Sequence, residues 1–151
     1  MTISKLALTG TFGFAALALA GCATLEEAVI SNTSDTYHAA LTGANEVGPG
    51  DPDGYGIADI SITEEFDQVC WDIHDLRNLG DITAAHIHAG AAGTNGPPVF
   101  TLTKSNEGAW KGCSGTSNWT QNRIEGNPSL FYVNVHTTEY PAGAIRGQLH
   151  D

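Results

Sequence analysis

Positive charge is scarce in this chain: six lysines and arginines stand against 17 aspartates and glutamates among 151 residues, a net charge of −11. Such acidity repels phosphate backbones and excludes nucleic acid as a partner. Cysteine is scarce too, three in all with no C-x-x-C pairing, which argues against a thiolate metal site. No serine sits in an elbow motif, and neither a Ser-His-Asp nor a Cys-His arrangement is indicated. An apolar pattern of period 3.6 is missing over any useful length, so little helix is expected. No internal repeat or low-complexity segment stands out. Asp51 and Asp53 precede Gly54 but lack the third acid and closing glutamate of a calcium loop, and read as a plain turn.

What is present begins with an address label. Lys5 supplies a positive start, and Leu6 to Ala20 is uncharged, mostly apolar and too short to span a bilayer comfortably. The four residues Leu19-Ala20-Gly21-Cys22 match the bacterial lipobox, in which the cysteine thiol takes a diacylglyceryl group and becomes the new N-terminus. The expectation is a lipoprotein signal peptide over 1–21 and a lipidated, acidic, flexible tether over 22–35. One folded domain follows over 36–151; an ordinary secretory signal with a chance cysteine is the other reading. Several acyl chains, at about 0.8 kcal/mol per buried CH₂, hold a protein on a membrane essentially permanently. Ala23 rather than Asp after the cysteine favours the outer membrane, as in Gram-negative lipoproteins generally. With Cys22 assigned to lipid, Cys70 and Cys113 remain as an even pair in an oxidising compartment and are read as a disulfide.

Glycine and proline punctuate short alternations of period two, the mark of an all-β domain. Candidate strands are Tyr37 to Leu41, Gly56 to Ile62, one centred on Val69, Trp71 and Ile73, Ile82 to Ala89, Val99 to Leu102, Leu130 to His136 and Ala144 to Leu149. Asn45 to Tyr55, the acidic turn Glu64-Glu65-Phe66-Asp67, the glycine-rich stretch 90–98 and a long polar loop holding Trp110, Cys113 and Trp119 read as connections. A short helical turn at Leu25 to Ile30 fits its local sequence. Seven to eight short strands predict a single immunoglobulin-like or Greek-key β-sandwich or barrel. Trp71 alternates with apolar residues and belongs to the core, whereas Trp110 and Trp119 stack on a ligand or cover a sheet edge.

Three segments together carry a signature: Ala84-Ala85-His86-Ile87-His88-Ala89-Gly90 with Gly93-Thr94-Asn95-Gly96-Pro97, Tyr132-Val133-Asn134-Val135-His136-Thr137, and Ala144-Ile145-Arg146-Gly147-Gln148-Leu149. With Ala40 to Val47 ahead of them, the chain resembles the CHRD domain, named from the animal protein chordin, over roughly residues 36 to 150. The resemblance implies a β-sandwich in an extracytoplasmic protein and no single activity. The cysteine-rich modules associated with growth-factor binding in chordin are absent, so that role does not carry over. Val47-Gly48-Pro49 departs from the family's usual prolines after the Glu-Val pair, which affects a local turn.

Side-chain alternation gives the signature a chemical meaning. If Ile87, Val133, Val135, Ile145 and Leu149 face inward, then His86, His88, Asn134, His136, Arg146 and Gln148 face outward. Histidines at i and i+2 lie about 6.5–7 Å apart at Cα, and a third from a neighbouring strand can close a metal site for copper or zinc. His86, His88 and His136 are the predicted ligands, with His38 or His74 as a fourth; His150 sits at the chain end. Asn134 and Gln148 are expected to fix the imidazole tautomers from behind. Copper–zinc superoxide dismutases are similar in part, having a His-x-His pair on a strand and an arginine near the C-terminal strand. That likeness gives Arg146 an anion-guiding role, although their bridging histidine and aspartate arrangement is not found here. Three readings remain: a metalloprotein with redox chemistry, an envelope binding or structural module whose polar face is a hydrogen-bonded network, and catalysis without metal.

Overall fold

The computed structural model describes residues 34–63, 66–115 and 118–151. The signal peptide, Cys22, the helical turn at Leu25 to Ile30 and the pair Glu64-Glu65 lie outside the described residues. Eight strands run in chain order: β1 (Ser34–Thr42), β2 (Tyr55–Thr63), β3 (Gln68–Arg77), β4 (Ile82–Ala89), β5 (Pro98–Leu102), β6 (Trp110–Gly115), β7 (Phe131–Thr137) and β8 (Ile145–Gln148). Among the described residues one α-helix, α1 (Asn118–Gly126), stands between β6 and β7, with short 3-10 turns at Gly43–Asn45 and Pro128–Leu130. β1 starts at Ser34, two residues inside the predicted tether.

All eight strands form a single antiparallel sheet in the order β5-β4-β7-β8-β1-β2-β3-β6. Its two end strands are consecutive in the chain and come together, so the sheet curls into a nearly closed barrel. Of the sandwich or barrel expected, the protein adopts the barrel. Trp71 closes the seam: its indole is only 4% exposed, packs edge-on to Phe100 at 5.8 Å and donates from Nε1 to the Thr103 carbonyl at 3.0 Å.

Alternation decides which residues fill the interior. Tyr37, Ala39 and Leu41 of β1, Ala58, Ile60 and Ile62 of β2, and Val69, Trp71 and Ile73 of β3 are all buried in one cluster. Ala85 and Ile87 of β4, Val133 and Val135 of β7, and Ile145 complete it from the other wall. At about 25 cal/mol per Å² of apolar surface removed from water, this cluster drives the fold and fixes the strand register, since a slip of one residue would turn every member outward.

Two elements fall where a loop was expected. β6 has no apolar alternation; it is recruited by pairing with β3, where Gly112 stands opposite Trp71 and its missing side chain leaves room for the indole. Cys113 stands directly opposite Cys70 with Cα atoms 4.0 Å apart, and the two form the disulfide. Among its described side chains α1 buries Thr120, Gln121 and Ile124, of which one is apolar, too little to register as an amphipathic pattern. Trp110 packs against the core beneath Lys104, whose ammonium lies 5.0 Å from the ring centroid, so it covers an edge.

Candidate metal centre

With Ala85 and Ile87 turned inward, β4 presents His86 and His88 on the outside of the barrel. β7 pairs beside it with His86 opposite Asn134, His88 opposite Tyr132 and Ala84 opposite His136. β8 continues the rows, placing Arg146 opposite Asn134 and Gln148 opposite Tyr132. The polar face predicted from the alternation is therefore continuous across three adjacent strands.

His86, His88 and His136 converge. Their ring centroids lie 5.1 to 6.2 Å apart, and one ring nitrogen from each lies within 4.8 Å of the others. The tautomers follow from the partners. A backbone carbonyl only accepts, so the His88 Nδ1–H donates to Gly96 at 2.8 Å and the His136 Nδ1–H donates to Pro141 at 3.1 Å. Both neutral rings then carry a bare Nε2. The His136 Nε2 lies 3.2 Å from His86 Nδ1, and the His88 Nε2 is buried with no hydrogen-bond partner among the described residues. The triad thus shares one proton between His86 Nδ1 and His136 Nε2 and keeps a free lone pair on His88 Nε2, and displacing that proton gives a set of donors suited to a cation.

Electrostatics agree with that protonation state. Burial pushes all three imidazoles below the ordinary histidine value, and for His86 a charge on His136 or His88 pushes the same way. The carbonyls of Gly96 and Pro141 pull His88 and His136 back up, but burial prevails. Neutral imidazole is the form that binds metal. Three imidazole donors suit zinc or copper, and three protein ligands leave a coordination position free for water or a small ligand.

The expected fourth ligands stand elsewhere. His38 on β1 and His74 on β3 both bind Asp59 of β2, Nδ1 to Oδ1 at 2.7 Å and Nε2 to Oδ2 at 3.2 Å. Burial pushes the Asp59 carboxyl up, yet these two hydrogen bonds hold it below its ordinary value. Neither ring belongs to the triad's convergence. His150 lies beside His38 at the chain end, with ring centroids 6.3 Å apart.

The expected supporting residues are also redistributed. Gln148 donates to the Gly90 and Ser129 carbonyls at 2.8 and 2.6 Å, and Asn134 turns toward Glu46; neither hydrogen-bonds an imidazole. The backbone carbonyls of Gly96 and Pro141 hold the rings instead, a role no side-chain pattern announces. Arg146, expected to guide anions, is 4% exposed. Its Nε donates to the Asn45 carbonyl at 2.7 Å and lies 3.5 Å from Glu46, while its Nη1 donates to the Thr94 carbonyl and the Asn95 side chain. Two loops thus cover the guanidinium, and its Nη2 is buried with no hydrogen-bond partner among the described residues. Glu46 entered the sequence reading only as part of the family signature, not as a partner of Arg146; burial pushes its carboxyl above the ordinary value against the pull of Arg146 and Asn134.

The Asp51-to-Gly54 segment is a turn, closed by the Gly54 amide donating to Asp51 Oδ1 at 3.2 Å. No helix among the described residues is long and apolar enough to cross a membrane. No curated protein and no solved structure matches the chain. The family model for the CHRD domain matches residues 37–149, a span that takes in all three histidines, their strands and the loops that hold them; the chain belongs to the CHRD domain family.

Proposed function

We propose that this protein is an extracytoplasmic lipoprotein whose CHRD domain binds one copper or zinc ion through His86, His88 and His136. The observation that carries the reading is the convergence of three ring nitrogens with two of the tautomers set from behind by backbone carbonyls. A structural network satisfies its buried polar atoms, as two carbonyls satisfy the Gln148 side-chain amide; the His88 Nε2 beside the other two rings has no partner among the described residues. The free coordination position allows redox chemistry on a small ligand if the ion is copper. Titration of the mature domain with Cu(II) and with Zn(II), followed by calorimetry and metal analysis, should saturate at about one ion per chain; no saturable binding of either ion would refute the reading.

The lipobox supports the anchoring half of the proposal, with the cell envelope, and the outer membrane in particular, as the location. Cys22→Ser should move the protein from the membrane fraction to the soluble periplasmic fraction while leaving the domain's thermal midpoint unchanged, because Cys22 precedes the described domain by more than ten residues. Sedimentation of the variant with membranes in high salt would count against lipid attachment.

A further inference from the structure

We infer that Arg146 is a positioning residue for the metal centre, fixing His88 through the loop of residues 90–97. The inference rests on the metal reading above but concerns a different residue and has a metal-free readout.

The ring of His88 is defined by two contacts. Its Nδ1–H meets the Gly96 carbonyl, and its face stacks on Tyr132 at 4.9 Å and 14°. Both contacts involve the loop, since the Gly96 amide also donates to the Tyr132 hydroxyl at 3.2 Å. Gly96 lies so close to the end of β4 that a β-carbon there would collide with the Ala89 carbonyl oxygen. The loop's base is closed by the Ala89 amide bonding the Pro97 carbonyl and by Gln148 holding Gly90.

The tip is folded on itself by Thr94, which donates from its amide at 3.1 Å and its hydroxyl at 2.7 Å to the Ala91 carbonyl, but this turn does not tie it to the barrel. Thr94 and Asn95 are exposed, yet both are gripped by one buried group, the Arg146 Nη1, at 3.1 and 3.3 Å. The same guanidinium lies over the Tyr132 ring at 4.8 Å and is itself held by the Asn45 carbonyl at 2.7 Å. Arg146 therefore touches both determinants of the His88 orientation, the loop that supplies Gly96 and the ring on which the imidazole stacks. A planar fork with several fixed donors can do this; a flexible ammonium makes fewer of these contacts.

The test compares wild type with Arg146→Met, Arg146→Lys and Asn95→Ala in the mature domain. In the metal-free protein, long-range ¹H–¹⁵N spectra should show a single Nδ1–H tautomer for His88 in wild type and a mixture in Arg146→Met. Copper-loaded wild type and Arg146→Met should differ in electron paramagnetic resonance, and the variant should bind copper about tenfold more weakly, as for outer-shell changes. Arg146→Lys should recover part of both effects. Asn95→Ala, at an exposed loop position, guards against misfolding of the Arg146 variants and should shift the same signals in the same direction by less. Unchanged His88 tautomer and copper spectrum in folded Arg146→Met, or in Asn95→Ala where Arg146→Met does not fold, would overturn the inference. A wild type that binds no copper while its His88 tautomer still depends on Arg146 would sink the metal reading and leave the positioning role standing.

Discussion

Alanine at His86, His88 and His136 together should abolish copper and zinc binding while the domain stays folded. The three side chains lie on the outside of the barrel, so their loss opens no cavity in the cluster of Ile87, Val133 and Val135 beneath them. Single changes should grade by role. His88→Ala and His136→Ala each remove a ligand whose tautomer is preset, and each should weaken binding by two orders of magnitude or more, beyond the roughly 10–100-fold of outer-shell changes. Wild-type affinity in the triple variant would show that the ion sits elsewhere.

The pH profile of the same titration has a defined sign. The folded rings hold their protons less tightly than ordinary histidines, whose midpoint is near about 6.5. Metal occupancy should therefore persist below pH about 6.5 and fall only as pH drops through the lowered folded values. Stability of the metal-free domain shifts over the same window. The unfolded chain takes up protons first, so stability is fully present above about 6.5 and declines as pH falls through the folded values. A binding midpoint above about 6.5 would contradict the burial of the site.

The second large effect concerns the disulfide. Reduction, or Cys70→Ser with Cys113→Ser, should destabilise the domain by about 4 kcal/mol in the chain-entropy model for a 43-residue separation. In a domain of this size that is a fall in thermal midpoint of roughly 15 °C or more. The strand it secures has little else to hold it: of β6, only Trp110 packs against the core. A midpoint shift of a few degrees would mean that pairing with β3 alone suffices. Free-thiol titration of the native protein should find neither Cys70 nor Cys113 reactive.

Most of the frame was legible because a strand that buries one face must alternate, and β1, β2, β3, β4, β7 and β8 all do. That same alternation places the three histidines on one outer face. β6 and α1 were not legible, since Trp-Lys-Gly-Cys-Ser-Gly carries no period and, among its described side chains, α1 contributes Ile124 as the one deeply buried apolar group. Their positions come from tertiary partners, β3 and the core. The histidine pair His38 and His74 was misassigned because alternation reports a face but not which part of a closed barrel that face looks out from. The burial of Arg146 was not legible for a related reason: it does point out of the sheet, but residues 43–46 and 90–97 fold over it, and burial by a loop leaves no trace in the strand's own pattern.

The meeting of β5 and β6 bears on how the domain behaves among copies of itself. An open sheet ends in strands whose unpaired amides and carbonyls are templates for another chain. Here the two free edges face each other across the Trp71 seam, β5 is only five residues long and starts at Pro98, and β6 carries Lys111, paired with Asp72 at 2.9 Å. A protein crowded on a surface or concentrated in solution thus offers few sites for strand addition. With the disulfide open, strand pairing and the Lys111–Asp72 ion pair alone keep β6 on β3, and wherever that pairing opens the edge of β3 is exposed, so the covalent bond guards solubility as well as fold.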